Sequence, residues 1–267
     1  MLRPGIRVIG ATDADVNEHR EVTARPRAVL LDIEGTTTPL AFVTHVLFPY
    51  VRQHLRSHLD SHAHAPEYHA LITRLGEEYL VARRSGEPTP ARTEEPDTVR
   101  LTTIVAFVEW LMDQDRKLTP LKELQGKIWE DGYARGDLVG QVFADVRPAL
   151  ERWRSQRVQV GIFSSGSVLA QQLLFRYSSA GDLTSLLSWY FDTNVGAKVD
   201  PESYRRIART IDVPPESVLF LSDAMRELEA ATQAGLQVRL VIRPGNLPVQ
   251  TSHSYATISS LDELSAA

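Results

Sequence analysis

The sequence predicts an α/β protein with a parallel β-sheet and a large helical insertion. Two observations carry this prediction. From residue 27 onward, short apolar runs alternate with helical stretches, and the runs are apolar almost throughout, as expected for strands covered by helices on both faces. In addition, roughly 120 residues with helical periodicity and no convincing strand separate the first run from the second.

Four segments have the pattern of buried parallel strands, and a fifth is weaker. The four are RAVLLDI (27–33), VQVGIFS (158–164), SVLFLSD (217–223) and QVRLVI (237–242), and the weaker one is WYFDT near residue 190. Helices are predicted between them, over VRPALERWRSQ, SVLAQQLLFRYS, DPESYRRIARTI and MRELEAATQAG. Asp200 has the position of an N-cap before Pro201, and Gly235 ends the last helix.

The long insertion is also predicted to be helical. PEYHALITRLGEEYLVARR and TVRLTTIVAFVEWLMDQDRK place apolar residues three and four apart, and TPLKELQGKIWEDGY begins with Thr-Pro. SGEPTPARTEEPD, residues 85–97, has the composition of a loop. We therefore predict a leader of unknown order at 1–26, an α/β core at 27–39 and 141–267, and a helical cap at 40–140.

Composition excludes several classes of function. The 267 residues are 43% hydrophobic and 24% charged, which is typical of a globular protein. With a net charge of -5 and no cluster of Lys and Arg, a nucleic-acid partner is not expected. The chain has no cysteine, so it has no disulfide, no thiolate metal site and no cysteine nucleophile, and a cytoplasmic location is expected. The first 26 residues lack a signal-peptide core or membrane span, so no membrane partner is expected either.

Polar side chains follow the predicted strands where each one ends. Asp32 and Glu34 follow the first strand, SSGS (164–167) follows the second, and Asp223 with Glu227 follows SVLFLS. Lys198 precedes the helix that starts after Asp200. Because the carboxyl ends of parallel strands meet in one crevice, these groups are expected to converge, and their combination favours phosphate chemistry.

Each group can be given a role in that chemistry. Asp32 can attack phosphorus and form an aspartyl-phosphate, while Glu34 can protonate the leaving oxygen and later activate water. One Mg²⁺ ion needs only one or two carboxylates in addition to water and substrate, so Asp32 and Asp223 would suffice, with the Glu34 carbonyl as a further ligand. Glu227 could orient a metal-bound water.

The remaining groups suit the phosphate. Free N–H groups at the helix start and the hydroxyls of Ser164 and Ser165 favour an anion, and Lys198 supplies a mobile positive charge. Taken singly, each feature has an ordinary structural explanation: a strand end, a helix cap, an exposed lysine or a helix N-terminus. Their order along successive strand ends is what supports a site.

Two other patterns are weaker candidates. His54, His58 and His62 recur every four residues and could hold zinc, with His64 and His69 close by, but a solvated helix face is the favoured explanation. For Trp129 and Glu130, helix packing is favoured over substrate contact.

Several segments together resemble the haloacid dehalogenase superfamily of phosphatases and, within it, the enolase-phosphatase (acireductone synthase) family. They are DIEGTT, FVTHVLFPY, LQGKIWEDGY, SSGSVLAQQLLF, KVDPESYRRIA, LFLSD and RPGN, in that order. The resemblance extends from about residue 27 to 262. It implies a Rossmann-like sheet of the haloacid dehalogenase type with an inserted α-helical cap that closes over the site.

The resemblance also implies an activity and residue roles. The reaction would be Mg²⁺-dependent enolisation and dephosphorylation of 2,3-diketo-5-methylthiopentyl-1-phosphate in methionine salvage, giving the acireductone and phosphate. It makes Asp32 the nucleophile and a metal ligand, Glu34 the acid/base and metal-associated, and Asp223 a metal ligand. Ser164, Ser165 and Lys198 would bind the substrate phosphate, and the working form is expected to be a monomer.

Two alternatives remain open from the sequence. A phospho-receiver domain also uses acids, a hydroxyl and a lysine at strand ends, but it carries its phosphoacceptor on a later strand and has no large insertion. A phosphomutase or a sugar-phosphate phosphatase could be built on the same scaffold. Stability of the phosphorylated protein tests the first, and a substrate panel tests the second.

Overall fold

A computed structural model describes residues 25–91, 101–248 and 253–264. Six strands form one sheet in the order β3-β2-β1-β4-β5-β6, and every pairing is parallel. The strands are β1 (Ala28–Leu31), β2 (Gln159–Phe163), β3 (Trp189–Phe191), β4 (Val218–Ser222), β5 (Gln237–Val241) and β6 (Thr257–Ile258). The predicted parallel α/β fold is confirmed.

The first strand lies at the centre of the sheet because it is the most uniformly apolar. All four of its residues, AVLL, are buried, and it pairs with β2 on one side and β4 on the other. Leu31 is in register with Ile162 and with Leu221. The carboxyl ends of β1, β2 and β4 therefore lie side by side.

Helices cover both faces of this sheet, which explains why its strands are not amphipathic. The core helices are α6 (Val146–Ser155), α7 (Val168–Arg176), α8 (Pro201–Thr210) and α9 (Met225–Gln233). Val29 and Leu31 pack into one apolar cluster with α6 and α7, while Ala28 and Leu30 face the other cluster with α8 and α9. The alternation of a strand thus divides β1 between two cores.

The insertion between β1 and β2 is helical throughout its described secondary structure. It contains α1 (Leu40–Phe42), a π-helical stretch (Val43–Leu47), α2 (Phe48–His62), α3 (Pro66–Arg84), α4 (Leu101–Asp113) and α5 (Thr119–Arg135). The helices predicted over 66–84 and 119–133 are present. Residues 85–91 form a turn and an irregular segment, whereas 92–97 of the predicted loop and most of the leader lie outside the described residues. The division into core and cap stays a prediction.

The sheet has one strand that was not predicted, and the length and apolar character of the helices decide whether one could span a membrane. The strand β6 was not predicted, because two residues at the sheet edge carry no periodic signal. No helix in the described ranges is long and apolar enough to cross a membrane.

Candidate active site

Asp32 follows β1 at the centre of the sheet's carboxyl edge. Its backbone N–H donates to the carbonyl of Leu221 at 3.0 Å, which continues the β1–β4 pairing by one residue. Its side chain is buried at 7% exposure, and Oδ1 accepts a hydrogen bond from Lys198 Nζ at 2.5 Å. A carboxylate removed from water in this way requires such a charged partner.

The chain turns sharply directly after Asp32. The N–H groups of Thr36, Thr37 and Thr38 all donate to the carbonyl of Ile33, and Gly35 adopts a φ of +71°, which favours glycine. Glu34 lies within this turn and is exposed to solvent in the cavity described below. Because the strand ends at Leu31, the two-residue alternation of a strand does not determine the direction of Glu34. Desolvation in the cavity and repulsion from Asp32 raise the pKa of Glu34.

Asp223, which follows β4, lies against this turn. A Cβ added to Gly35 would lie only 2.2 Å from Asp223 Oδ2, so the close approach requires glycine. Asn246 supports the same turn, since its Nδ2 donates to the carbonyl of Gly35 at 2.9 Å. Burial and repulsion from Asp32 raise the pKa of Asp223 to about 7, although Lys198 acts in the opposite direction.

Lys198 joins Asp32 to Glu227. Its Nζ lies 2.5 Å from Asp32 Oδ1 and 2.6 Å from Glu227 Oε2, and its side chain is 7% exposed. Burial alone would lower the pKa of Lys198, but the two carboxylates outweigh it and raise the pKa, so the ammonium form is kept. Burial and Asp32 raise the pKa of Glu227 to about 7, while Lys198 and the hydroxyl of Ser222, which donates at 2.9 Å, oppose that shift.

The serine turn follows β2 at the same edge. Ser164 Oγ accepts from the N–H of Gly166 at 3.2 Å, and Ser167 caps α7 by accepting from the N–H of Ala170 at 3.3 Å. Ser164 and Ser165 line the cavity that Glu34 also lines. The structure thus places Lys198 in direct contact with Asp32 and with Glu227, and Asp223 against the turn after Asp32. Glu34, Ser164 and Ser165 lie around the neighbouring cavity.

This cavity lies between the strand ends and the helical insertion. Its apolar lining comes mainly from the insertion, and comprises Val43, Leu47, Phe48, Met112, Leu121, Trp129 and Leu174. Lys117 and Lys122 add positive charge to the wall, and Lys122 Nζ donates to Thr193 Oγ1 at 2.9 Å. Burial lowers the pKa of Lys122. Met112, Leu121, Lys117 and Lys122 have no sequence signal of their own, since each occupies an ordinary position in or beside a helical pattern.

Trp129 makes the helix-packing contact that the sequence favours, while its contact with substrate stays untested. Its Nε1 donates to the carbonyl of Leu47 at 2.9 Å, which fixes α5 against the start of the insertion, and the residue also lines the cavity. Glu130 is exposed and does not line this cavity.

A buried arginine supports the turn that follows Asp32. Arg243 donates to the carbonyl of Thr36 at 3.1 Å and to Asp145 at 2.7 Å, and its guanidinium stacks over Phe143 at 4.5 Å. Asp145 also accepts the N–H of Leu261 at 2.6 Å. The segment RPGN, residues 243–246, was one of those that resemble the family. The sequence did not indicate that Arg243 and Asn246 both donate hydrogen bonds to the turn after β1.

The carboxylates of this site suit a divalent cation. Asp32, Glu34 and Asp223 are three acidic groups around one turn, and desolvation, followed by repulsion from Asp32, raises the pKa of both Glu34 and Asp223. A bound cation would offset both effects. The donor set is oxygen only, as Mg²⁺ prefers.

Comparison with known proteins gives a consistent result. Residues 26–235 match the model of the haloacid dehalogenase-like hydrolases. A protein of Synechococcus elongatus named enolase-phosphatase E1 is 50% identical over 238 residues, covering 88% of this chain and 96% of its own. One of Salmo salar with the same name is 43% identical, covering 91% and 96%. The crystal structure of the UTR4 protein from Saccharomyces cerevisiae superposes with a TM-score of 0.72 at 31% identity, covering 88% and 98%.

Proposed function

Because the chain belongs to the haloacid dehalogenase-like hydrolases and, within them, to the enolase-phosphatases, we propose that it uses Asp32 as a nucleophile on a diketo phosphate. The substrate would be 2,3-diketo-5-methylthiopentyl-1-phosphate, and the products the acireductone and inorganic phosphate, in methionine salvage. The chain is a phosphatase that acts on a small-molecule phosphate, so the regulatory alternative of a phospho-receiver domain is wrong. The single observation that supports Asp32 most is its burial against Lys198 where three strand ends meet.

In the proposed dephosphorylation, a carboxylate oxygen of Asp32 forms a bond to phosphorus while the bond from phosphorus to the substrate oxygen breaks. Glu34 donates a proton to that leaving oxygen, which its raised pKa favours. Glu34 then accepts a proton from the water that attacks the aspartyl-phosphate, so that phosphate leaves and Asp32 is regenerated.

The other residues of the site hold the phosphate and exclude water. Lys198 is already bonded to the attacking carboxylate, so it can also neutralise phosphoryl oxygens with little rearrangement. Ser164 and Ser165 would donate hydroxyl hydrogen bonds from the opposite side. When bound, Mg²⁺ would offset the repulsion between the nucleophile and the phosphate, and Asp32, Asp223 and the carbonyl of Glu34 are the groups proposed to hold it, with Glu227 orienting a bound water.

The apolar wall suits the methylthio end of the substrate. Met112, Leu121 and Trp129 line the cavity that extends from Glu34 and the serine turn towards the insertion. A cap over residues 40–140 would close this cavity and exclude water from the reactive intermediate. A monomeric state and a cytoplasmic location stay predictions.

The test compares phosphate release from the diketo phosphate with release from generic phosphomonoesters and sugar phosphates. We expect a clear preference for the diketo phosphate, and an equal or greater rate on a sugar phosphate would favour the remaining alternative.

Asp32→Asn separates the two chemical steps. The amide keeps the size of the side chain but removes the nucleophile, so phosphate release should stop while an enol phosphate accumulates, visible as a new ultraviolet absorbance. Asp212→Asn, at an exposed carboxylate far along the chain, is the matched control and should behave as the native protein. Phosphate release at the native rate by metal-loaded Asp32→Asn would show that Asp32 is not the nucleophile.

A further inference from the structure

The insertion contains a second cluster of metal-ligating side chains, away from the site at the strand ends. One ring nitrogen of His58, one of His62 and a carboxylate oxygen of Asp131 lie within 4.8 Å of one another. The two histidines are four residues apart and share one face of α2, while Asp131 comes from α5. They line a surface pocket that shares no residue with the cavity beside Glu34. The sequence pattern comprised only histidines at this place, and the structure adds the carboxylate of Asp131 as a third possible ligand.

The hydrogen bonds of His62 leave one of its nitrogens prepared for a metal. Nδ1 lies 2.8 Å from the carbonyl oxygen of His58, and a carbonyl can only accept, so Nδ1 carries the proton. Nε2 of the neutral ring therefore bears the free electron pair. Metal-bound histidines characteristically donate their other N–H to a backbone carbonyl in this manner, which fixes the ring and its tautomer.

His58 is held from both sides. Its Nδ1 lies 3.0 Å from Asp131 Oδ2, and its Nε2 lies 2.7 Å from the hydroxyl of Tyr68. A hydroxyl can donate or accept, so Tyr68 can accept Nε2–H when Nδ1 turns its electron pair to a metal. The neutral ring thereby changes tautomer: Nδ1 loses its proton and Nε2 gains one through solvent, with no net release. Arg135 also borders the pocket, but its guanidinium bonds to Asp137 at 3.0 Å and to Tyr50 at 2.8 Å.

We propose that His58, His62 and Asp131 bind one divalent transition-metal ion of the Zn²⁺ class, linking α2 to α5 in the insertion. Two imidazoles and one carboxylate favour Zn²⁺, Co²⁺ or Ni²⁺ over Mg²⁺, which prefers oxygen ligands. Water would complete the coordination, because the Asp131 side chain is 39% exposed and the pocket opens to solvent. Since α2 and α5 both contribute to the wall of the catalytic cavity, the ion would stiffen the insertion without entering the reaction.

The test is a titration of the purified protein with Zn²⁺ in excess Mg²⁺, followed by calorimetry and thermal unfolding. We expect one Zn²⁺ per chain and a rise in Tm, because a ligand that binds only the folded state stabilises it. His62→Ala and Asp131→Asn should lose this binding and the rise in Tm while keeping the Mg²⁺-supported phosphatase activity. Tyr68→Phe should weaken binding about 10- to 100-fold, as expected for a residue that orients a ligand.

His54→Ala is the matched control, because His54 lies one turn earlier in the same pocket but outside the cluster. It should bind Zn²⁺ like the native chain, and Co²⁺ bound in place of Zn²⁺ should give the same ranking by its visible absorption. The proposal is overturned if the native protein does not bind Zn²⁺, if His62→Ala and Asp131→Asn bind as well as the native protein, or if His54→Ala loses binding equally.

Discussion

Asp223→Asn should make the metal-free protein more stable at pH 8. The pKa of Asp223 is raised from its ordinary 3.8 to about 7, so the folded chain holds a proton there that the unfolded chain gives up near pH 4. This contribution to stability is complete below pH 4 and is lost as the pH rises through 7. Because one pKa unit corresponds to about 1.4 kcal/mol, the ionised side chain costs at most about 4 kcal/mol at pH 8, and solvent screening reduces this to about 1 to 3 kcal/mol.

The assay is urea unfolding of the chelated protein between pH 4 and pH 8.5. The advantage of Asp223→Asn over the native chain should grow from pH 4 to about 7 and then level off, while the contribution of Glu227, whose pKa is also about 7, remains in both. Mg²⁺ should reverse the order at pH 8, because only the native protein would bind it tightly. Asp212→Asn removes an equal charge from an exposed position and should show no such trend. If the two variants have the same pH profile, burial and repulsion from Asp32 do not raise the pKa of Asp223 as described.

Three further outcomes are expected. Excess chelator should abolish phosphate release and added Mg²⁺ should restore it, and full activity in chelator would contradict a metal-dependent reaction. Lys198→Ala should lower kcat by about 100-fold or more, and Lys198→Arg should recover little because the guanidinium is larger and differently shaped; native kcat in the alanine variant would remove Lys198 from the site. Gly35→Ala should weaken Mg²⁺ binding and activity, because its Cβ would lie 2.2 Å from Asp223 Oδ2, whereas Gly136→Ala has a similar φ of +79° with nothing within 4 Å and should lose only stability. Equal Mg²⁺ affinity in these two glycine variants would contradict the close approach.

The sheet could be predicted from the sequence because its strands are buried on both faces. Apolar runs such as AVLL, separated by helical stretches, are typical of covered parallel strands, whereas the central place of β1 is visible only in the structure. The short strand β6 was missed for the opposite reason, since two residues give no pattern. A strand could therefore be predicted where its apolar run was long enough to form a pattern, as in β1, and not where it was only two residues long, as in β6.

Part of the candidate site could also be predicted from the sequence, and part could not. Asp32, Lys198 and Glu227 could be brought together from topology alone, because each follows a strand or precedes a helix at one edge of the sheet. The turn that carries Glu34 away from the strand depends on the φ of Gly35 and on three N–H groups sharing one carbonyl, which the sequence does not encode as a period. The apolar lining of the cavity and the meeting of Asp131 with His58 depend on how helices far apart in sequence pack.

The central place of β1 has a consequence for how the chain is made. It is the first of the described strands to leave the ribosome, yet its partner β2 begins at Gln159 and its other partner β4 begins at Val218, roughly 190 residues after Ala28. At about 5 to 20 residues per second, an apolar strand waits about 10 to 40 s before both of its edges can be paired. The helices of the insertion emerge in that interval and can form local contacts early. A nascent chain of this protein therefore holds β1 with at least one unpaired edge until β4 has been made, and truncations that end before β4 should aggregate or engage chaperones through it.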